Sequence, residues 1–205
     1  MINSKFKWVI GLSLVFALIL TTNVIDRNNF KRIKDSILSI YEDRLIAKNF
    51  VFELSLLLEE KSMALATADS TFFTGKNKGV NDQIRNFISQ FWQTKLTAKE
   101  ATTLKSFEDD FDKLVELELA LLPQLNDQKA DHKLKTQIQR LKTDLYTLSE
   151  IQISEGKKQF LIGAQAADSV ELLTKLEIIM LVIIAGLVQF ILLYNPKKSQ
   201  KSPTE

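Results

Sequence analysis

The sequence of 205 residues contains no cysteine. This excludes a disulfide framework and any metal site that relies on thiolate ligands. Glycine and proline are scarce, with six and three residues, which is typical of a chain built from long helices. The formal net charge is only +2, and no block of like charges forms a basic face. We therefore expect no nucleic-acid partner.

Motifs that carry catalysis are also missing. The sequence has no pattern for a serine or cysteine nucleophile with a histidine base, no glycine-rich phosphate loop after a strand, and no HExxH. Its single histidine, His132, cannot form a zinc site with carboxylates that are dispersed along the chain. We predict that the protein is not an enzyme and has no catalytic residue, metal or cofactor.

Two charge-free apolar runs, residues 8–25 and 178–196, are long enough to cross a bilayer core of roughly 30 Å as helices. Lysines flank both runs on the outer side, which predicts that residues 1–7 and the short tail 197–205 are cytoplasmic. Residues 26–177 then form one extracytoplasmic domain of a two-pass protein of the bacterial inner (plasma) membrane. A cleaved signal peptide is the weaker interpretation of the first run, because no small-x-small cleavage pattern follows it.

Helical periodicity dominates the region between the two runs. Apolar residues recur at steps of three and four from Phe30 to Phe72, which predicts one long helix that ends at Gly75 and Gly79. A short amphipathic helix follows. Thr97-Ala98-Lys99-Glu100 has the form of a capping box that opens a third helix, and a fourth starts near Asp131. These patterns predict an all-α fold: an antiparallel up-down-up-down four-helix bundle flanked by two transmembrane helices.

Three short segments carry a family resemblance: Tyr41-Glu42-Asp43-Arg44-Leu45, Leu57-Leu58-Glu59-Glu60-Lys61 and the turn Leu96-Thr97-Ala98-Lys99-Glu100. They resemble the four-helix-bundle sensory domain of bacterial methyl-accepting chemotaxis receptors. The resemblance implies a periplasmic bundle that forms a homodimer, binds a small ligand and passes a displacement of its last helix across the membrane. Such receptors continue into a cytoplasmic signalling hairpin, whereas this sequence stops nine residues after Pro196.

Four polar residues are candidates for ligand binding. Arg44 and Lys61 occupy heptad positions that point toward the helix interface, and counting from each predicted membrane edge places Glu155 or Gln159 opposite Arg44. A guanidinium fork in this position recognises a carboxylate well, so the predicted ligand is a small anionic or amino-acid-like molecule. The alternatives are a buried pair that sets the helix register, and lysine or arginine side chains that reach the surface along their aliphatic stems.

Two classes of function follow from these observations. The first is a chemoreceptor-like sensory protein whose ligand changes the helix arrangement and acts on a membrane signalling partner. The second is a structural or adaptor membrane subunit that binds no ligand, or a short form that pairs with complete receptors. The short tail favours the second class, and the resemblance of the first helix favours the first.

Overall fold

A computed structural model describes residues 4–121 and 128–193, and these residues confirm the all-α prediction. Their helical chain forms four continuous stretches; short turns separate the first three, and residues 122–127 between the last two lie outside the described part. The α-helices are α1 (Ser4–Leu38), α2 (Ile46–Ala66), α3 (Asn77–Trp92), α4 (Ala98–Leu121) and α5 (Gln128–Leu193), with wider π-helical turns at Ser39–Leu45 and Phe72–Lys76. Pro123, which the sequence predicts to end the third helix, and the tail 197–205 lie outside the described residues.

The chain divides into two compact units. Residues 35–162 form the larger unit, which lies within the predicted domain 26–177, and the described residues before Asp35 and after Ile162 form the other. The larger unit contains the buried apolar core, to which α2, α3, α4 and α5 all contribute. Its fully buried side chains include Leu54, Leu58, Ile84, Phe91, Leu104, Phe107, Phe111, Leu114, Leu134, Leu141 and Leu145. Helical spacing in the sequence predicts the core positions of α3, α4 and α5.

The end of the first long helix differs from the prediction. The helix ends at Ala66 rather than at Gly75 and Gly79, and Ala68 adopts a positive φ of 50° in the turn that follows. The Asp69 carboxylate then accepts the backbone N–H groups of Thr71 and Phe72, at 3.0 Å each, and so caps the next helical stretch. Gly75 lies in the second π-helical turn and Gly79 in α3. The first long helix therefore ends in a turn through Ala68, and Asp69 caps the start of the next stretch.

The predicted membrane spans are also corrected. A helix needs about 20 consecutive, predominantly apolar residues to cross a bilayer. Across residues 4–121 and 128–193, no helix is both long enough and apolar enough to do so. This finding contradicts the two spans placed at 8–25 and 178–196, and with them the assignment to the inner membrane. The first predicted span contains three consecutive polar residues, Thr21 to Asn23, and the Thr22 hydroxyl donates a hydrogen bond to the Glu177 carboxylate. Residues 1–3 and 194–196 are outside the described part.

Candidate functional site

Arg44 lies in the first π-helical turn, and its side chain points into the larger unit. The residue is only 8% exposed. Its Nη1 donates to Oε1 of Glu100 at 2.5 Å and, more weakly, to Oε1 of Gln152 at 3.4 Å. Its Nη2 donates to the carbonyl of Lys95 at 3.4 Å. The guanidinium therefore connects the first π-helical turn to the start of α4 and to α5.

The local sequence positions the carboxylate that Arg44 meets. Oε2 of Glu100 accepts the backbone N–H of Thr97 at 2.6 Å, and the Thr97 hydroxyl accepts the N–H of Glu100 at 3.3 Å. This reciprocal arrangement confirms the predicted capping box. One carboxylate oxygen thus caps the helix while the other binds Arg44, so α4 begins at the level where Arg44 is buried.

The predicted partners of Arg44 are wrong. Glu155 forms a 3.6 Å ion pair with Lys158 instead, and the Gln159 carbonyl accepts a hydrogen bond from the Ser36 hydroxyl. The prediction identifies the correct helix, because Gln152 of α5 lies one turn before Glu155. Counting fails here because it starts from the predicted membrane edges. Ser36, which precedes the π-helical turn, already contacts Gln159, where the count places Ala167 opposite it.

Lys61 forms a second buried cluster and does not reach the surface, so the surface interpretation is wrong for this residue. Its side chain is fully buried. The ammonium donates to Oδ1 of Asn77 and, at 2.7 Å, to Oε1 of Glu118. The other oxygen of Glu118 accepts from Nδ2 of Asn77 at 2.9 Å and from Nδ2 of Asn81 at 3.3 Å. Two charges and two amides therefore connect α2, α3 and α4.

Burial lowers the pKa of Lys61 below its usual value, and the nearby Glu118 carboxylate opposes that effect by favouring the charged ammonium. A buried ammonium is costly unless it is paired and hydrogen-bonded. Both conditions are met here, since a carboxylate and an amide oxygen accept from it.

The four predicted ligand-binding residues do not come together in one site. Arg44 and Lys61 are 17 positions apart, or about 25 Å along a helix. Each is neutralised by its own buried carboxylate, Glu100 and Glu118 respectively. An anionic ligand would have to displace a carboxylate that the helix backbone or two amides already hold. The ligand-binding role of Arg44, Lys61, Glu155 and Gln159 stays a prediction.

The surface of the larger unit offers two open grooves. One, of about 690 Å³, lies beside the end of α2 and is lined by residues that include Met63, Asp69 and Phe72. The other, of about 320 Å³, lies between α2 and α5, with Lys48, Lys142 and Tyr146 in its wall. Over the described residues, no group of three histidine or acidic side chains is arranged to hold a metal ion.

The feature that the sequence analysis missed is an apolar stripe that begins at the last residue of the first π-helical turn and continues along the outer face of α2. Leu45, Phe52, Leu56 and Met63, which we call the outer stripe, are exposed by between 50% and 63%. Their spacing of seven, four and seven residues places them on one side of the helix. The opposite side carries the core residues, including Leu54 and Leu58. The spacing was visible in the sequence, but the stronger core pattern on the same helix obscured it.

Comparison of this chain with protein-family models, with curated proteins and with solved structures found no match. The resemblance to chemoreceptor sensory domains stays a prediction based on three short segments.

Proposed function

We propose that this protein is an interaction subunit of the structural or adaptor class, and that it acts by binding another helical surface along the outer stripe of α2. The single observation that carries the proposal is the exposure of Leu45, Phe52, Leu56 and Met63 on one face of a well-packed helix. Large apolar side chains grouped on one helix face are typical of a protein-binding surface.

The buried ion pairs support the same proposal. A solute-binding site needs charged groups that are available to a ligand, whereas Arg44 and Lys61 already form ion pairs with the buried carboxylates of Glu100 and Glu118. Both pairs connect separate helices of the larger unit, so they suit a scaffold that holds a docking surface in place.

We take the helices of this unit to form the antiparallel up-down-up-down bundle, because their connections are short: three residues follow α2 before the next helical stretch and five separate α3 from α4.

We further propose that the partner includes a second copy of the chain, so that the protein is a homodimer. Sedimentation of the full chain should then show a dimer that Leu56→Glu weakens. Burying a leucine is worth about 1.5 kcal/mol or more per copy, and two copies contribute, so the dissociation constant should rise on the order of 100-fold.

Leu119→Glu is the matched control for this experiment. Leu119 lies on α4, is 77% exposed and is not part of the outer stripe. The same substitution there should leave the dimer unchanged. A chain that sediments as a monomer at all concentrations tested, or a dimer that both variants weaken equally, would contradict the proposed function.

The second candidate function is a small-ligand sensor, and one observation favours it. The groove of about 320 Å³ between α2 and α5 has two lysines, Lys48 and Lys142, and the hydroxyl-bearing side chains of Ser55 and Tyr146 in its wall. This composition suits a small anion. Lys142 already pairs with Glu59, which makes this candidate the weaker of the two.

A further inference from the structure

The outer stripe continues as a heptad seam along α2. Adding Asn49 and Glu59 to Leu45, Phe52, Leu56 and Met63 gives alternating steps of four and three over three heptads. This is the a/d pattern of a two-stranded coiled coil, in which Asn49, Leu56 and Met63 occupy a positions and Leu45, Phe52 and Glu59 occupy d positions. All six residues are exposed, so the seam faces away from the core of the larger unit.

The first π-helical turn keeps this seam continuous. Ile37 and Tyr41 extend it toward α1, and both are 60% exposed. Ile37, Tyr41, Leu45 and Asn49 follow one another at steps of four residues. A heptad repeat alternates steps of three and four, so the two steps from Ile37 to Leu45 span one residue more than a heptad. That residue falls within Ser39–Leu45, where the π-helical turn takes up an extra position. The wide turn therefore holds the exposed apolar residues before and after it on one face.

We infer that the seam binds the same seam of a second copy in parallel and in register. This inference rests on the proposed function and specifies its partner. In a parallel dimer, identical a positions meet, so Asn49 would face Asn49 of the second copy. A single asparagine at an a position specifies a parallel, in-register dimer at some cost in stability. An antiparallel arrangement would instead place Asn49 against Glu59.

Charges beside the seam favour the same orientation. Lys48 occupies a g position and Glu53 the e position five residues later, which are the two positions that pair between parallel helices. Neither side chain has an ion pair within the described part of its own chain. A parallel dimer would form the Lys48–Glu53 pair twice, whereas an antiparallel one would bring the two Glu53 carboxylates together. Glu59, at a d position, is already neutralised by Lys142.

The absence of cysteine makes the orientation directly testable by single-cysteine cross-linking. In the full chain carrying Leu56→Cys, a parallel in-register dimer brings the two thiols to a separation that a disulfide can span. With an effective concentration on the order of 1 mM and protein at about 10 µM, the disulfide should form on the order of 100-fold faster than in the control Lys113→Cys. Lys113 is exposed on α4, away from the seam.

Mixing the Phe52→Cys and Leu56→Cys chains distinguishes the antiparallel alternative, which places residue 52 opposite residue 56. Cross-linking of Leu56→Cys to itself in a chain that sediments as a dimer supports the inference. A dimer that cross-links only between residues 52 and 56, or only as slowly as the control, would overturn the parallel register and leave the proposed function intact. A monomer would overturn both.

Discussion

The two buried ion pairs of the larger unit have the same chemistry but different surroundings. Each joins a cation from the first long helix to a glutamate of α4. At Arg44 the hydrogen bonding is incomplete, because Arg44 Nε and Gln152 Nε2 are buried without a partner within the described residues. At Lys61 a carboxylate and an amide satisfy a fully buried ammonium. We therefore expect the two pairs to differ in how much stability is lost when each cation is removed, although both are buried salt bridges.

The largest effect should come from Lys61→Met. The substitution leaves the Glu118 carboxylate buried beside Asn77 and Asn81 with no cation. Removal of one partner of a buried pair typically costs about 3–5 kcal/mol, because the remaining charge is not compensated. Urea unfolding of the full chain measures the change in the free energy of unfolding.

A double variant separates the value of the pair from the cost of an unpaired charge. Adding Glu118→Leu to Lys61→Met removes both charges, and we expect most of the lost stability to return. If the double variant were as unstable as the single one, the cost would arise from packing and not from the orphaned carboxylate.

Arg44→Met should have a smaller effect, of about 1.5–3 kcal/mol. Glu100 is itself fully buried, but its carboxylate would still accept the N–H of Thr97 at the N-terminus of α4, where a negative charge is stabilised. Arg140→Met is the matched control, since Arg140 is exposed on α5 and should change the free energy of unfolding by no more than about 0.5 kcal/mol. A loss at Arg44 equal to that at Lys61 would remove the distinction between the two pairs.

The smallest expected effect is a dependence of the free energy of unfolding on pH. This effect is also the most specific to Lys61. The folded-state pKa of Lys61 lies below 10.5, so between that lowered pKa and 10.5 the unfolded state holds more protons than the folded state. The contribution of Lys61 to the free energy of unfolding should therefore increase as the pH rises through this window.

Comparison of the natural chain with the Lys61→Met/Glu118→Leu variant isolates this contribution from that of other titrating groups. The difference in the free energy of unfolding between the two should rise at alkaline pH. A difference that falls in the same window would mean that pairing with Glu118 outweighs burial and that the pKa of Lys61 is raised.

Local sequence accounts for much of the fold. The capping box at Thr97 and Glu100 depends on four consecutive residues, and the core faces of α3, α4 and α5 depend on steps of three and four. The capping box and the apolar spacing each involve residues less than two helical turns apart, so both can be recognised from the sequence alone. The absence of cysteine and the scarcity of glycine and proline point in the same direction. These features determine that the protein is helical and where α4 begins.

The tertiary structure decided the features of the fold that short-range sequence patterns do not determine. Glu100 and Glu118 were selected as partners of Arg44 and Lys61 only when α4 packed against the first long helix, because the paired residues are 56 and 57 positions apart in the chain. Packing also set the register between the first long helix and α5: Ser36 contacts Gln159 and Arg44 contacts Gln152, which counting from the predicted membrane edges could not anticipate. The outer stripe became recognisable only after the core occupied the opposite face of α2, because burial depends on neighbours that are distant in the sequence.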